Sequence, residues 1–329
     1  MKKASLLLLL TTCLCLTLSL TACAPLMHSV QGLFNPTQTY AVFMPPTQAL
    51  ASPSEAAASL TPQPSATLQP SHTPGPSATP TVTASPTPPP PTPSPTWAWT
   101  KAGQAVTVPI LLYHHIASDS GSSRYYVSVE NFRQQMKALH NWGYTSITPS
   151  YLANVLMHGG ELPARPVIIS FDDGNLDVYS NAFPIMQKYG FVGTFYIVAN
   201  RVGAYNLVNA EQLKEMAAAG WEIGSHSMTH MTLTTDYSQV RNEILQSRLT
   251  LEAAVGVPVR SFAYPFGLAD EYIGDKTEEY GYTSGMGLGT LNEHTLGSLF
   301  YLSRREVQYG YDMNAFATLL PWTQPPKTP

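Results

Sequence analysis

Between residues 108 and 307 the chain repeats one pattern, a short mostly apolar run followed by a segment whose apolar residues recur at three and four. The runs fall at 108–113, 144–147, 167–171, 193–198, 222–225, 259–263, 282–286 and 301–307. Most intervening segments carry helix punctuation. Phe132, Met136 and Leu139 are spaced by four and three and are closed by Gly143, and Thr148 followed by Pro149 reads as an N-cap and a first helical residue. Asn209 with Gln212 three residues on is a capping-box start, ended by Gly220. A longer helix is predicted over 236–255, with Val240, Ile244, Leu251 and Val255 on one face and Gly256 beyond it. Strands alternating with helices predict an α/β fold with a parallel sheet, and this many repeats in one domain favour closure into a barrel over an open sheet. In either architecture the reactive groups collect at the C-terminal ends of the strands.

The flanking sequence is different in kind. Met1-Lys2-Lys3, an apolar run over 6–20 and Leu20-Thr21-Ala22 read as an export signal over 1–22. Cys23 directly after Ala22 resembles the bacterial lipoprotein box, which implies a lipid-anchored N-terminus on the outer face of the cell membrane. An ordinary secreted protein with an incidental cysteine is the alternative. Of the three cysteines, Cys13 and Cys15 lie inside the signal, so the mature chain keeps Cys23 alone and forms no internal disulfide. Residues 23–100 read as a disordered spacer. From about Pro45 to Pro95, Thr-Pro, Ser-Pro and the prolines 88–91 replace nearly every apolar residue except Ala and a few Leu. Such sequence stays extended, open to O-glycosylation, and cannot form a core. It serves as reach into a wall or glycan layer, or is an unselected linker. Residues 101–325 have the composition of one globular domain. The formal net charge of -4, without a basic run, argues against a nucleic-acid partner.

Two carboxylates end the third run, in Ser170-Phe171-Asp172-Asp173-Gly174. A buried carboxylate needs a cation or a chemical reason, although the pentapeptide alone also fits a helix N-cap followed by a surface acid. After the fifth run, His226 and His230 stand four apart, the spacing at which one helical turn aims two imidazoles at one point. Two histidines and one carboxylate make an open transition-metal site with room for water. A closed structural site would want a fourth ligand, usually Cys, and none is available. The zinc-protease pattern wants Glu after the first His, and Ser227 stands there.

Ser170-Phe171-Asp172-Asp173-Gly174, His226-Ser227-Met228-Thr229-His230 and Phe262-Ala263-Tyr264-Pro265-Phe266-Gly267 together resemble the ordered motifs of the polysaccharide deacetylases, carbohydrate esterase family four. Leu112-Tyr113-His114-His115-Ile116 is similar to the opening of the poly-N-acetylglucosamine deacetylase branch. The resemblance implies a distorted, incomplete (β/α) barrel of parallel strands forming a single catalytic domain. It implies that Asp173, His226 and His230 bind a divalent metal, commonly zinc, with cobalt, nickel, manganese and iron as alternatives. The resemblance also implies that Asp172 is the general base, a division supported by adjacent strand-end residues pointing apart, which leaves one carboxylate free beside the metal. The Phe266 N–H serves the oxyanion, Pro265 fixes its turn, and Tyr264 and Pro265 contact substrate.

Two departures from the family pattern matter. The late Leu-x-His motif is absent, since that strand reads Leu302-Ser303-Arg304-Arg305-Glu306, so His114 becomes the candidate acid, with His115 turned to the opposite face. Ala263 stands where many members carry an Arg that orients the base, and Arg304 is its candidate replacement. The implied protein is an exported monomeric hydrolase that removes N-acetyl groups from an N-acetylhexosamine polysaccharide or peptidoglycan. O-deacetylation of a polymer such as xylan, and an inactive metal-retaining glycan-binding protein, are the alternatives. Tyr125, Tyr126, Tyr205 and Trp221 can stack on sugars, but in a chain with 18 Tyr they read as packing, and the remaining histidines carry no role.

Overall fold

The computed structural model describes residues 96–118 and 122–326, so the export signal, Cys23 and the spacer up to residue 95 lie outside the described residues. All eight runs form strands: β1 (Ile110–Tyr113), β2 (Thr145–Ser146), β3 (Pro166–Phe171), β4 (Thr194–Ile197), β5 (Glu222–Ser225), β6 (Ser261–Ala263), β7 (Ser284–Met286) and β8 (Arg305–Glu306). They make one eight-stranded sheet in the order β7-β6-β5-β4-β3-β1-β8, with β2 beside the start of β3. Every ladder in it is parallel.

Side-chain parity sorts this sheet into two cores. Leu111, Val167, Ile169, Phe171, Phe195, Ile197 and Ile223 pack outward with helix residues such as Phe132, Met136, Leu213 and Leu251. Ile110, Ile168, Tyr196, Met286 and Leu302 fill the interior, where they meet Leu152, Val155 and Leu156. Those three belong to one of the helices, which are α1 (Val129–Asn141), α2 (Pro149–His158), α3 (Phe183–Lys188), α4 (Ala210–Ala218), α5 (Ser247–Val255), α6 (Glu271–Glu279) and α7 (Met313–Ala317). Thus α2 plugs the lower end of the barrel, and its first turn is held by Glu222, whose carboxylate accepts Ser150 N at 3.0 Å and Ser150 Oγ at 2.9 Å. The opposite end stays open.

The caps expected from sequence are present. Thr148 caps α2, both halves of the Asn209/Gln212 box form, and Gly256 ends α5 in the left-handed conformation. The helix expected over 236–255 is regular only from Ser247, because Arg241–Gln246 is wound as a π-helix. The spacer boundary also moves. Trp97–Thr100 is a β-strand paired antiparallel with Gly160–Pro163, because its β-formers find an unpaired edge there.

The barrel closes on a thin seam. One bridge, Met286↔Leu302, and the bonds Leu302 N→Gly285 O (2.8 Å), Gly287 N→Leu302 O (2.9 Å) and Gly289 N→Arg304 O (3.0 Å) join the end of β7 to the segment entering β8. The result is a distorted, incomplete (β/α) barrel. A Cβ on Gly287 would collide with the Tyr301 ring, so glycine is what permits this approach. Gly287→Ala is expected to destabilise the fold by about 1–3 kcal/mol through overpacking. An unchanged urea midpoint would show that the Tyr301 ring can yield.

Candidate functional site

Ile168, Ser170 and Asp172 share the inward parity of β3, and Asp172 N→Tyr113 O at 3.0 Å carries the ladder one residue past the strand. Asp172 is 2% exposed. Its carboxylate is gripped by Arg304, with Nη1 at 2.6 Å from Oδ1 and Nη2 at 2.8 Å from Oδ2, while Arg304 Nε donates to Gly287 O at 3.2 Å. Burial alone would raise the Asp172 carboxyl. The Arg304 charge, then His226 and the forked hydrogen bonds, override it and hold it at about 2. Asp173 follows at φ 75°, a left-handed residue, so its carboxylate leaves the interior row and turns toward the histidines.

His226 follows β5, and its Nδ1 pairs with Ala263 O at 2.8 Å. That bond leaves Nε2 facing the carboxylates, 3.6 Å from Asp172 Oδ2 and 3.7 Å from Asp173 Oδ1. His230 Nε2 lies 3.4 Å from Asp173 Oδ1. The route between the histidines is not the helical turn that their spacing predicts. Ser227 and His230 are left-handed, at φ 67° and 69°, and side chains take the N–H groups instead. Ser227 Oγ accepts His230 N at 2.8 Å, and Glu243 accepts Met228 N at 3.1 Å and Thr229 N at 2.9 Å. The compact turn nevertheless delivers both rings to one point.

Ligand atoms of Asp173, His226 and His230 all lie within 4.8 Å of one another. Neighbouring ligands of a tetrahedral zinc stand about 3.3–3.5 Å apart, so this donor set fits a divalent transition metal with a small contraction. The His226 Nδ1 bond to a carbonyl is the usual way a metal-binding imidazole is oriented. Burial, then the neighbouring His226, lowers the His230 pKa and favours the neutral ring that a metal needs.

The facing wall is built from β1 and β8. His114 Nδ1 is buried without a hydrogen bond and sits 4.0 Å from Glu306 Oε1. Burial lowers its pKa, and Asp172, Asp173 and Glu306 act the other way. Glu306 Oε2 accepts Arg124 at 2.6 Å and Gln308 at 2.8 Å. His115 faces away, bonded to Asp177 at 2.7 Å and stacked on Tyr126. Phe266, at φ 60°, is the third residue of a turn closed by Gly267 N→Tyr264 O, so its N–H stands outside that bond. Phe266 is 55% exposed, and its ring centre lies 4.7 Å from that of His230.

These groups surround a cavity of about 280 Å³. Asp172, Asp173, His226, His230, His114, Phe266 and Arg304 are all brought to it. Tyr264 and Pro265 are not, which corrects their expected contact with substrate. Tyr264 is 0% exposed, donates its hydroxyl to Phe300 O at 2.7 Å and packs with Phe262 in the outer core, and Pro265 is buried beneath the turn. Glu306, Arg124 and Leu288 line the cavity without having been singled out, as does Tyr125, which sequence reads as packing. Period-two parity from Arg304 points to Glu306, whereas Arg124 and Leu288 carry no local signal.

Residues 159–285 match the family described as polysaccharide deacetylase. YxkH of Bacillus subtilis, assigned by name to the polysaccharide deacetylases, is 29% identical over 221 residues, 67% of this chain and 78% of the relative. The poly-beta-1,6-N-acetyl-D-glucosamine N-deacetylase of Staphylococcus epidermidis is 32% identical over 129 residues, 34% of this chain and 44% of the relative. The Staphylococcus aureus protein of the same name is 27% identical over 175 residues, 48% and 59% respectively. The chain therefore spans about half the length of these staphylococcal relatives. A crystal structure of a polysaccharide deacetylase from Bacillus cereus superposes with a TM-score of 0.59 at 27% identity, covering 65% of this chain and 69% of that one.

Arg304→Ala strands a buried carboxylate, and a loss of about 3–5 kcal/mol is expected at neutral pH. Because the folded Asp172 pKa is depressed to about 2, the pair contributes fully above the unfolded value near 3.9 and fades as pH falls. Urea midpoints of the two metal-free proteins should converge below about pH 4, and a gap independent of pH would contradict this.

Proposed function

Because this chain carries a polysaccharide deacetylase domain, we propose that it is a metal-dependent hydrolase that removes N-acetyl groups from an N-acetylhexosamine-containing surface polysaccharide or peptidoglycan. The observation that carries the reading is the convergence of an Arg-forked Asp172, the Asp173–His226–His230 triad and His114 on one cavity. The names of the staphylococcal relatives favour a poly-N-acetylglucosamine.

Asp173, His226 and His230 would hold a divalent ion, zinc first, with cobalt, nickel, manganese or iron as alternatives. When bound, it supplies Lewis acidity and a water of lowered pKa. Asp172 accepts the proton of the attacking water, and Arg304 keeps it ionised and aimed. As the new C–O bond forms, the Phe266 N–H donates to the carbonyl oxygen, which gathers negative charge. The C–N bond then breaks as His114 gives its proton to the departing amine, leaving acetate and a free amino sugar. Glu306 facing Nδ1 favours the imidazolium that this step requires.

The domain, expected at 101–325 and extended by the strand Trp97–Thr100, works outside the cell in this proposal, exported by residues 1–22, lipidated at Cys23 and carried on the spacer. Sequence alone supports these segments. Among the described residues no helix is long and apolar enough to cross a membrane.

Acetate release tests the reading, with partially acetylated β-1,6-glucosamine polymer, chitin oligomers, peptidoglycan and acetylxylan as substrates. Release from an N-acetylated glycan is expected, abolished by chelator, restored by zinc or cobalt and lowered roughly 10²–10⁴-fold by Asp172→Asn. Release from acetylxylan alone would make it an O-deacetylase, and metal binding without any release would leave a glycan-binding protein. Glu306→Gln removes a negative charge beside His114, so the His114 pKa should fall. The alkaline limb of kcat/KM should then move to lower pH; an unmoved limb would dismiss Glu306 from this role.

A further inference from the structure

We propose that Glu243 is a positioning residue for the metal-holding triad, fixing the turn that carries His226 and His230; the inference rests on reading that triad as the metal site. Glu243 is 1% exposed, a carboxylate buried in the π-wound segment Arg241–Gln246. No Lys, Arg or His lies within ion-pair distance of it among the described residues. Its charge is met by the turn itself. Oε2 accepts Met228 N at 3.1 Å and Thr229 N at 2.9 Å, and Oε1 accepts Thr229 Oγ1 at 2.9 Å.

With Ser227 Oγ accepting His230 N at 2.8 Å, side-chain oxygens take three successive N–H groups, those of 228, 229 and 230. Successive N–H groups beside a left-handed residue form a concave anion cradle, and here the anion is built into the protein. On its other side the turn is tied to 199–200, through Ala199 N→Ser227 O at 3.0 Å and Asn200 N→Met228 O at 3.1 Å. The conformation is one that Ser227 and His230 do not adopt by preference, since both are non-glycine residues at positive φ. Without the carboxylate, two buried-side N–H groups lose their acceptor and the turn has reason to relax. The rings at its ends would then lose their common point. A π-wound turn in a helix is a frequent device for aiming one side chain at a functional site, and here it carries the side chain that clasps the turn.

Glu222 supplies the control. It too is a carboxylate met by hydrogen bonds, from Ser150 N at 3.0 Å, Ser150 Oγ at 2.9 Å and Ser261 Oγ at 2.6 Å, but it sits at the start of β5 rather than at its end. Zinc and cobalt affinities of the metal-free protein, measured by competition with a chromophoric chelator, should fall about 10–100-fold in Glu243→Gln, the usual effect of losing a group that orients ligands. The cobalt absorption bands should shift as well. Glu222→Gln should lower the melting temperature and leave the affinities within about two-fold. Should Glu243→Gln not fold, Thr229→Val removes one bond of the clasp and should weaken affinity severalfold. Unchanged affinity in the folded variants, or equal losses in Glu222→Gln, overturns the positioning role. A parent protein that binds neither metal overturns the triad reading and this inference with it.

Discussion

The buried pair between Arg304 and Asp172 is the interaction on which the rest of the molecule depends. Its guanidinium reaches Asp172 at the end of β3 and the Gly287 carbonyl beyond β7, so one side chain fastens the last strand to both walls of the barrel. Removing two charges from water is expensive, and such a pair adds little net stability compared with apolar packing. What it adds is determinacy. With the carboxyl held near 2, Asp172 is ionised at neutral pH, and its lone pairs point where the fork leaves them. A seam with one backbone bridge would otherwise have few reasons to close in a single register.

Much of the architecture is legible in the sequence because its signals are local. Apolar runs, the Thr148-Pro149 start, the Asn209/Gln212 box and the Gly256 stop each depend on residues within one turn of each other, and each forms as written. The site is legible to a lesser depth. Spacing by four brings His226 and His230 together, but it cannot tell a helical turn from a left-handed one, because the deciding partner, Glu243, arrives from another element. Tyr264 is a different kind of miss. It has the parity of Phe262, which faces the helices, so alternation along β6 points to burial where motif position points to substrate. The same alternation joins Glu306 to Arg304. Trp97–Thr100 shows the limit of composition, since a strand of four residues after a proline-rich stretch is decided by the edge it finds.

Charge balance gives the cavity its character. Asp172, Asp173 and Glu306 line it, answered among the described residues by Arg304 and by Arg124 at the rim. The fork neutralises Asp172 and the rim arginine neutralises Glu306, which leaves Asp173 beside His226 and His230, the second of which burial disfavours in its charged form. That residual negative charge is what a divalent cation fits, and together with Asp172 and Glu306 it opposes part of the burial that lowers the His114 pKa.

The antiparallel pair of Trp97–Thr100 with Gly160–Pro163 has a mechanical meaning. It sits beside the start of β3, at the end of the barrel remote from the cavity, so the polypeptide enters the domain from behind its working face. Tension applied through residue 96 would be borne first by the four cross-strand pairs from Trp97↔Pro163 to Thr100↔Gly160, before it reached the central sheet. A pull on residue 96 and a load at the cavity mouth would therefore act on opposite poles of the domain, with the four-pair ladder as a strain relief between them.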